Sequence, residues 1–274
     1  MFLITIALWL ILVPGPVGFV FGLSDSLSTQ GAVDAPLNTL SEVEKRDGWR
    51  LLFDGKTFGG WRGYSEPTFP AQGWSIEDGC LKHTLAGGRP GGSGGDIMTI
   101  DQFTDFDLRF EWRIAPGGNS GIKYFVHERR GEPGAKMYLG DDGRSAVGHE
   151  YQLLDDQRHP DALNGPLRQA GALYALVPPN EAKRLKPVGE FNESRIVVRG
   201  LHVEHWLNGA KILEYELESP ALFEAIAKSK YKNIPGFGTR FKTRILLQDH
   251  GDEVWFRNLK VRPLTAPAGQ GGQR

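Results

Sequence analysis

Cysteine is nearly absent from this chain of 274 residues, because Cys80 is the only one. A single thiol can form neither an internal disulfide nor a cysteine-based zinc site. A charge excess is lacking as well, since 32 Lys and Arg residues face 33 Asp and Glu residues and the net charge is −1. The sequence therefore gives no reason to expect a nucleic-acid or polyanionic partner.

The motifs of the common nucleotide-dependent and serine-dependent enzymes are also missing. The chain has no GxSxG, no GxxxxGK[ST] and no GxGxxG that opens a helix. The glycine-rich stretch at 87–95, GGRPGGSGG, lacks the lysine and the following helix that a phosphate loop needs. We interpret this stretch as a flexible loop and expect no organic cofactor.

The two ends of the chain differ from its middle. Residues 1–23 are uncharged and mostly apolar, which indicates a signal peptide or an N-terminal anchor. No Lys or Arg precedes the apolar run, and its two prolines disfavour a continuous spanning helix. Small polar residues at 24–40 predict a linker, and the composition of 265–274 predicts a disordered tail. We expect an exported protein, periplasmic, extracellular or membrane-anchored, with one domain at 41–264.

About eleven short segments of that domain have the apolar, aromatic and β-branched composition of strands. In FDLRFEWRI (106–114) apolar and charged residues alternate, as in a strand with one buried face. The dipeptide NG at 208–209 predicts a hairpin, and Ser219 followed by proline predicts one helix at 219–229. These features together predict an all-β fold, a jelly-roll sandwich of two sheets with one short helix.

Three of the predicted strands carry polar residues where a plain sandwich would have Val or Thr. They are GHEYQLLDD (148–156), HVEHWLNG (202–209) and ILLQDHGDEVWFRNL (245–259). Carboxylates, amides and imidazoles on a sheet face are costly unless they pair with each other or with a ligand. We therefore expect a polar cleft on the sheet, a geometry suited to binding a sugar.

Strand alternation divides these polar residues between faces. Glu150 and Gln152 share a face, which could be a solvated edge or the floor of a site. His205 lies on an apolar face, where a structural and a functional role are equally open. Gln248 and His250 share a face where a strand enters a turn. The further candidates are Lys123 among apolar neighbours, Asp155 at a strand end and Arg257 near the turn. Glu, Asp and His together suit a divalent cation such as Ca²⁺, Mn²⁺ or Zn²⁺, although no HxH or HExxH spacing specifies a metal.

Several longer segments make the chain similar to a known family. They are GWRLLFDGKTFGGW, GDIMTIDQFTDFDLRFEWRI, GGNSGIKY, HEYQLLDDQRHPDA and LLQDHGDEVWFRNLKVRPL, in this order. Over residues 44 to 264 the chain resembles the 3-keto-disaccharide hydrolase family. The resemblance implies a concanavalin A-like jelly roll and the cleavage of glycosides that are oxidised at C3. One departure is Phe191 in GEFN, where the family has Trp.

The resemblance also implies a chemistry. A ketone at C3 acidifies the C2 proton, so a base can remove it and the C1 leaving group can depart, with a hydrolase or a lyase outcome. The family motifs map onto Lys123, Glu150, Gln152, Asp155, His205, Gln248 and His250. We predict His250 as the base and His205 as the second choice, with Glu150 or Asp155 holding a metal or orienting the imidazole. Lys123 or the metal would stabilise the enolate, and Lys123, Gln152, Asp155, Gln248 and Arg257 would bind substrate.

Two alternatives remain open at this point. The same face could belong to a non-catalytic carbohydrate-binding module, which exposed aromatic platforms with few ionisable groups would favour. An ordinary retaining glycosidase is disfavoured, because the E-x-D-x-E run that supplies its paired carboxylates is missing. In each case the expected partner is a carbohydrate, and no stable protein partner is predicted.

Overall fold

The computed structural model describes residues 36–64, 66–84, 94–127 and 146–264. Within them lie thirteen strands. The strands are β1 (Arg50–Leu51), β2 (Trp61–Gly63), β3 (Trp74–Glu77), β4 (Cys80–His83), β5 (Ile97–Thr99), β6 (Phe106–Ile114), β7 (Asn119–Tyr124), β8 (His149–Leu154), β9 (Asn192–Arg199), β10 (His202–Leu207), β11 (Ala210–Glu216), β12 (Leu246–Leu247) and β13 (Val254–Pro263).

The strands form two antiparallel sheets. Sheet A has eight strands in the order β11-β10-β9-β6-β13-β4-β3, with β1 paired to β13. Sheet B has five strands in the order β2-β5-β12-β7-β8. The predicted two-sheet sandwich is confirmed.

The core lies between the sheets, and alternation along the strands builds it. The apolar residues of β6, from Phe106 to Ile114, are each at most 3% exposed, while Arg109 and Arg113 on its other face are partly exposed. This is the predicted division of that strand. In sheet B the inward residues include Ile122, Tyr151 and Leu153, all fully buried. The opposite face of sheet B therefore carries the remaining residues of β7 and β8.

Tight turns join several neighbouring strands. Asn208 and Gly209 connect β10 to β11 with φ angles of 47° and 84°, as the NG dipeptide predicts. The segment WSIEDGCLKH at 74–83 has the composition of a single strand but is a hairpin. Asp78 and Gly79 turn the chain at φ angles of 50° and 71°, so that β3 and β4 pair with each other. Cys80 follows this turn and is buried.

Two short α-helices flank the sheets. The predicted helix is confirmed as α2 (Pro220–Ala227), in which the Ser219 hydroxyl accepts a hydrogen bond from the Leu222 N–H. A second helix, α1 (Glu42–Arg46), was not predicted. It begins with a capping box, in which the Ser41 hydroxyl accepts from the Glu44 N–H and the Glu44 carboxylate accepts from the Ser41 N–H.

The predictions for the ends of the chain fall mostly outside the described residues. These are the signal peptide or anchor at 1–23, most of the linker at 24–40, the tail at 265–274 and most of the glycine-rich loop at 87–95. Among the residues that the structure describes, every helix is too short or too polar to cross a membrane.

Candidate active site

The outer face of sheet B carries the polar residues that the sequence singled out. Lys123 on β7 lies directly opposite Glu150 on β8, and Gly121 lies opposite Gln152. On the other side of β7, β12 leads into Gln248, whose N–H donates to the Gly121 carbonyl at 2.9 Å. The predicted shared face of Glu150 and Gln152 is thereby confirmed, and Gln248 extends it across three strands.

Glu150 lies over a glycine that makes room for it. A Cβ atom placed on Gly121 would come within 2.5 Å of the Glu150 Oε1 atom and 2.9 Å of its Cγ. Glu150 is 6% exposed, and the nearest cation is the Lys123 ammonium, 3.9 Å from Oε2. No hydrogen bond to the Glu150 carboxylate is formed within the described residues. The strand position of Gly121 thus creates a niche that holds a carboxylate with free lone pairs.

The Lys123 ammonium is engaged by acceptors of the protein itself. It is 4% exposed, and its Nζ donates to the Ala146 carbonyl at 2.9 Å. The buried carboxylate of Asp96 is 3.7 Å away. Burial raises the pKa of Asp96 to about 6, and the Lys123 ammonium opposes that shift. Lys123 therefore acts as a charge partner of two carboxylates, which corrects the prediction that it contacts the sugar.

A small pocket of about 60 Å³ opens beside Glu150. Its walls come from β7, β8, the β12–β13 turn and two loops: Asn119, Glu150, Gln152, Tyr174, Lys230, Gln248 and His250. Among the described residues, three buried polar atoms of this pocket have no hydrogen-bond partner: Gln152 Oε1, Gln248 Oε1 and His250 Nδ1. Buried polar atoms are rarely left unpaired. Their convergence on one pocket indicates a place that a polar ligand fills.

His250 is neutral near pH 7. Desolvation, with the neighbouring His159 and Lys123 charges, lowers its pKa to about 4. Its Nε2 atom is 3.2 Å from the Asn119 amide, and its Nδ1 atom is 3.9 Å from the Asp252 carboxylate. A neutral imidazole of low pKa is a weak base, although it can still donate a hydrogen bond.

Two pocket residues come from loops that sequence reasoning did not single out. The Lys230 ammonium lies 4.4 Å from the centre of the Tyr174 ring and 5.1 Å from that of Tyr231. The Tyr174 hydroxyl donates to Asp161 at 2.7 Å, which fixes the ring. Lys230 makes no ion pair with a described residue, so its charge is available to the pocket. Its position depends on the fold of the loop after α2, for which the sequence gives no periodic signal.

The prediction that His205 belongs to this site is wrong. His205 is fully buried between the sheets, because the same alternation that buries Val203 and Leu207 turns its side chain inward. Its Nδ1–H donates to the Gly171 carbonyl at 3.0 Å, and its Nε2 accepts from the Tyr124 hydroxyl at 2.6 Å. Burial lowers its pKa to about 4, so the imidazole is neutral.

His205 is one member of a chain of buried hydrogen bonds. Because the Gly171 carbonyl can only accept, the direction of each following bond is fixed. The Tyr124 hydroxyl donates to His205, Tyr215 donates to Tyr124 at 2.9 Å, and His149 Nδ1–H donates to Tyr215 at 2.8 Å. This network, which we name the core network, is structural and faces away from the pocket.

Arg257 and Asp155, both predicted to bind substrate, also lie outside the pocket. Arg257 is on the outer face of sheet A, where its Nε donates to Glu111 at 2.7 Å and its guanidinium stacks 3.7 Å from the Phe191 ring centre. Asp155 is 1% exposed and accepts from the backbone N–H groups of Gly117, Gln157 and Arg158. Burial alone would raise the pKa of Asp155, but these hydrogen bonds lower it. It orders the loop after β8.

A metal ion would need a different set of donors from the one present. His159, His250 and Asp252 place ligand atoms within 4.8 Å of one another. However, the backbone N–H of Asp161 donates to His159 Nδ1 at 3.1 Å. A neutral imidazole that accepts at Nδ1 carries its hydrogen on Nε2 and has no second lone pair for a metal. The cluster therefore does not fit a divalent cation, and Asp155 has no free lone pairs to replace His159.

The fold and the pocket define a class of protein. It is a two-sheet jelly roll with a small, recessed polar pocket on the outer face of its smaller sheet. The ionisable residues in the pocket outnumber its aromatic side chains.

Comparisons with known proteins identify the family. Residues 48–262 match the profile of the 3-keto-alpha-glucoside-1,2-lyase-like domain. A 3-keto-disaccharide hydrolase of Bacteroides thetaiotaomicron is 38% identical over 250 residues, which are 84% of this chain and 83% of that protein. The chain belongs to the 3-keto-disaccharide hydrolase family.

Solved structures share the fold. A crystal structure of a candidate glycosyl hydrolase from Parabacteroides distasonis matches with a TM-score of 0.69 and 31% identity, and covers 84% of this chain and 100% of that one. A second candidate from the same organism matches with a TM-score of 0.54 and 26% identity, covering 79% and 99% of the two chains.

Proposed function

We propose that this protein cleaves the glycosidic bond of 3-keto-disaccharides, with the oxidised sugar bound in the pocket on sheet B. The observation that carries the proposal is the pocket itself, in which the buried Glu150 carboxylate, the Lys230 ammonium and the neutral His250 imidazole meet. Within the described residues, this carboxylate accepts no hydrogen bond and this ammonium forms no ion pair. Removal of a proton next to a carbonyl needs a base and an electrophile at the carbonyl oxygen. Family membership supports the substrate class.

Glu150 is the base in this proposal. Its carboxylate takes the proton from C2, and the C2–H electron pair forms the enolate with the C3 oxygen. The enolate then expels the group at C1, whose oxygen leaves with the bond electrons and gains a proton. Addition of water to the resulting double bond gives net hydrolysis, whereas release of the unsaturated sugar gives a lyase outcome.

Lys230 stabilises the negative charge on the C3 oxygen. His250 is no longer the base in this proposal, because its lowered pKa of about 4 leaves it a poor proton acceptor. It lines the pocket as a neutral imidazole. Lys230 replaces Lys123 as the cation in reach of the substrate.

The test follows the C2 proton and the product separately. A 3-keto-glucoside is incubated in D₂O with the wild type and with Glu150→Gln, Lys230→Met and His250→Gln, and NMR records C2 exchange and cleavage. We expect Glu150→Gln to lower both rates by about 10²–10⁴. We expect Lys230→Met to lower kcat by about 10²–10³, the usual loss for one charge-stabilising donor, and His250→Gln to keep C2 exchange.

Two outcomes would contradict this assignment. Normal exchange in Glu150→Gln places the base elsewhere, and loss of exchange in His250→Gln alone restores the imidazole as the base. Binding of the 3-keto-sugar by the wild type without exchange or cleavage would support the carbohydrate-binding module instead.

A further inference from the structure

Asn119 lies between the two imidazoles beside the pocket. Its side-chain amide is 3.4 Å from His159 Nε2 and 3.2 Å from His250 Nε2. The other end of the same amide is 3.0 Å from the side-chain amide of Gln152. Asn119 is 3% exposed and Gln152 is 1% exposed, so neither amide can exchange its partners for bulk water.

One backbone group decides which way this chain of side chains is oriented. The Asp161 N–H can only donate, so His159 accepts at Nδ1 and carries its hydrogen on Nε2. The atom of Asn119 that faces His159 must then be an acceptor, which is the amide oxygen. Amide oxygen and nitrogen are assigned from their hydrogen bonds, and here a fixed donor makes that assignment.

The orientation continues in both directions from Asn119. Since its oxygen also faces His250, that imidazole carries its hydrogen on Nε2 as well. The Asn119 nitrogen points the other way and needs an acceptor, which is the Gln152 oxygen. The Gln152 nitrogen then occupies the buried position in the pocket for which the described residues offer no partner.

We propose that Asn119 is a positioning residue, which holds His250 as the Nε2–H tautomer and turns the N–H groups of Gln152 toward the pocket. The pocket wall then presents the Gln152 amide N–H groups and the Lys230 ammonium as donors, while the His250 N–H is used by Asn119. Donors suit a carbonyl oxygen whose negative charge grows during the reaction. This inference rests on the proposed function for its role in catalysis, although the orientation itself does not depend on substrate.

The orientation is tested by NMR on the full chain with ¹⁵N-labelled histidine. Long-range ¹H–¹⁵N spectra distinguish the two imidazole tautomers, and His159→Gln and His250→Gln assign the resonances. In the wild type at pH 7 we expect the Nε2–H form for both residues. Asn119→Asp, which can only accept, should keep both forms. Asn119→Leu should leave His159 unchanged, because Asp161 still fixes it, and should give a tautomer mixture at His250.

Kinetics supply a second readout. In Asn119→Asp the carboxylate accepts from Gln152, so the Gln152 oxygen turns into the pocket and kcat should fall by about 10²–10³. The added charge should also raise the pKa of His250, whereas Asn233→Asp, on the exposed surface, should change neither property.

Several results would overturn the inference. They are an Nδ1–H form at His159 or His250 in the wild type, an unchanged His250 in Asn119→Leu, and a one-to-one Zn²⁺ complex that shifts both imidazoles. Failure of the proposed function looks different. If Glu150→Gln exchanges the C2 proton normally while the tautomers are as expected, the base is misassigned and the orientation stands.

Discussion

Gly121→Ala should separate catalysis from stability, because the niche for Glu150 exists only while residue 121 has no side chain. An alanine Cβ would stand 2.5 Å from Oε1, 2.9 Å from Cγ and 3.0 Å from Cδ of Glu150. Contacts under 3 Å cannot persist, so the carboxylate must move by about 1 Å to reach an ordinary contact near 3.5–4 Å. Such a displacement of a reacting group costs about 10²-fold in rate.

The fold should tolerate the same change. Gly121 lies in the middle of β7 and is not among the glycines with positive φ, so alanine can adopt its backbone conformation. Replacing a strand glycine by alanine stabilises by about 0.5–1 kcal/mol through the unfolded chain. The close contact between the new Cβ and Glu150 offsets part of this stabilisation. We expect a free energy of unfolding within about 1 kcal/mol of wild type.

The assays are kcat for 3-keto-disaccharide cleavage and urea unfolding followed by tryptophan fluorescence. Gly59→Ala is the matched control, because Gly59 is exposed and its new Cβ would meet only the Thr57 hydroxyl, at 3.3 Å. In a Glu150→Ala background Gly121→Ala should have no further effect on kcat. An additional 10²-fold loss there, or wild-type turnover of the single variant, would refute the role of the niche.

Three further predictions concern the core network and the chain ends. His205→Phe removes the donor to the Gly171 carbonyl and the acceptor of the Tyr124 hydroxyl. It should lower the free energy of unfolding, measured with urea, by about 2–5 kcal/mol, while the folded protein keeps the same imidazole tautomers at His159 and His250. Burial lowers the pKa of His205 to about 4 and that of His149 to about 3. In the unfolded chain both imidazoles have the ordinary pKa of about 6.5, so below that pH the unfolded chain binds more protons than the folded protein does. Stability is therefore present above pH 6.5 and falls as the pH decreases toward 4; urea unfolding at pH 7 and 5 measures this, and equal values would contradict it. Residues 1–23 should direct export, so fractionation of expressing bacteria should find the protein outside the cytoplasm, and a wholly cytoplasmic full-length chain would count against export.

The sequence predicted the parts of the fold that depend on alternation and on turn chemistry. The buried face of β6, the NG turn and the Ser219 cap all follow from interactions between residues close in sequence. The hairpin at Asp78 and Gly79 uses the same turn chemistry as NG. Strand-like residues lie on both sides of this turn, so the sequence pattern did not show that the strand ends there. The capping box of α1 was visible in the letters SEVE.

The site was predicted in part, for a physical reason. Alternation assigns a residue to one side of its strand, but it cannot say whether that side faces the interior or a pocket. Glu150 and Gln152 lie on one face, as predicted, whereas His205 has the same polar character and lies in the core. Lys230 and Asn119 were missed because their roles depend on a loop and on a cross-strand contact.

The core network lies directly behind the site. Tyr124 and His149 are the sequence neighbours of Lys123 and Glu150, so adjacent residues of the same two strands serve opposite sides of sheet B. Tyr215 and His205 bring in sheet A, and the Gly171 carbonyl brings in the loop that carries Tyr174. A slip of either strand by one residue would bring an inward ring out and an outward charge in, and would break these directed bonds together. The core network therefore fixes the register of the two strands that carry Glu150 and Gln152, although it lies on the opposite side of sheet B from the pocket.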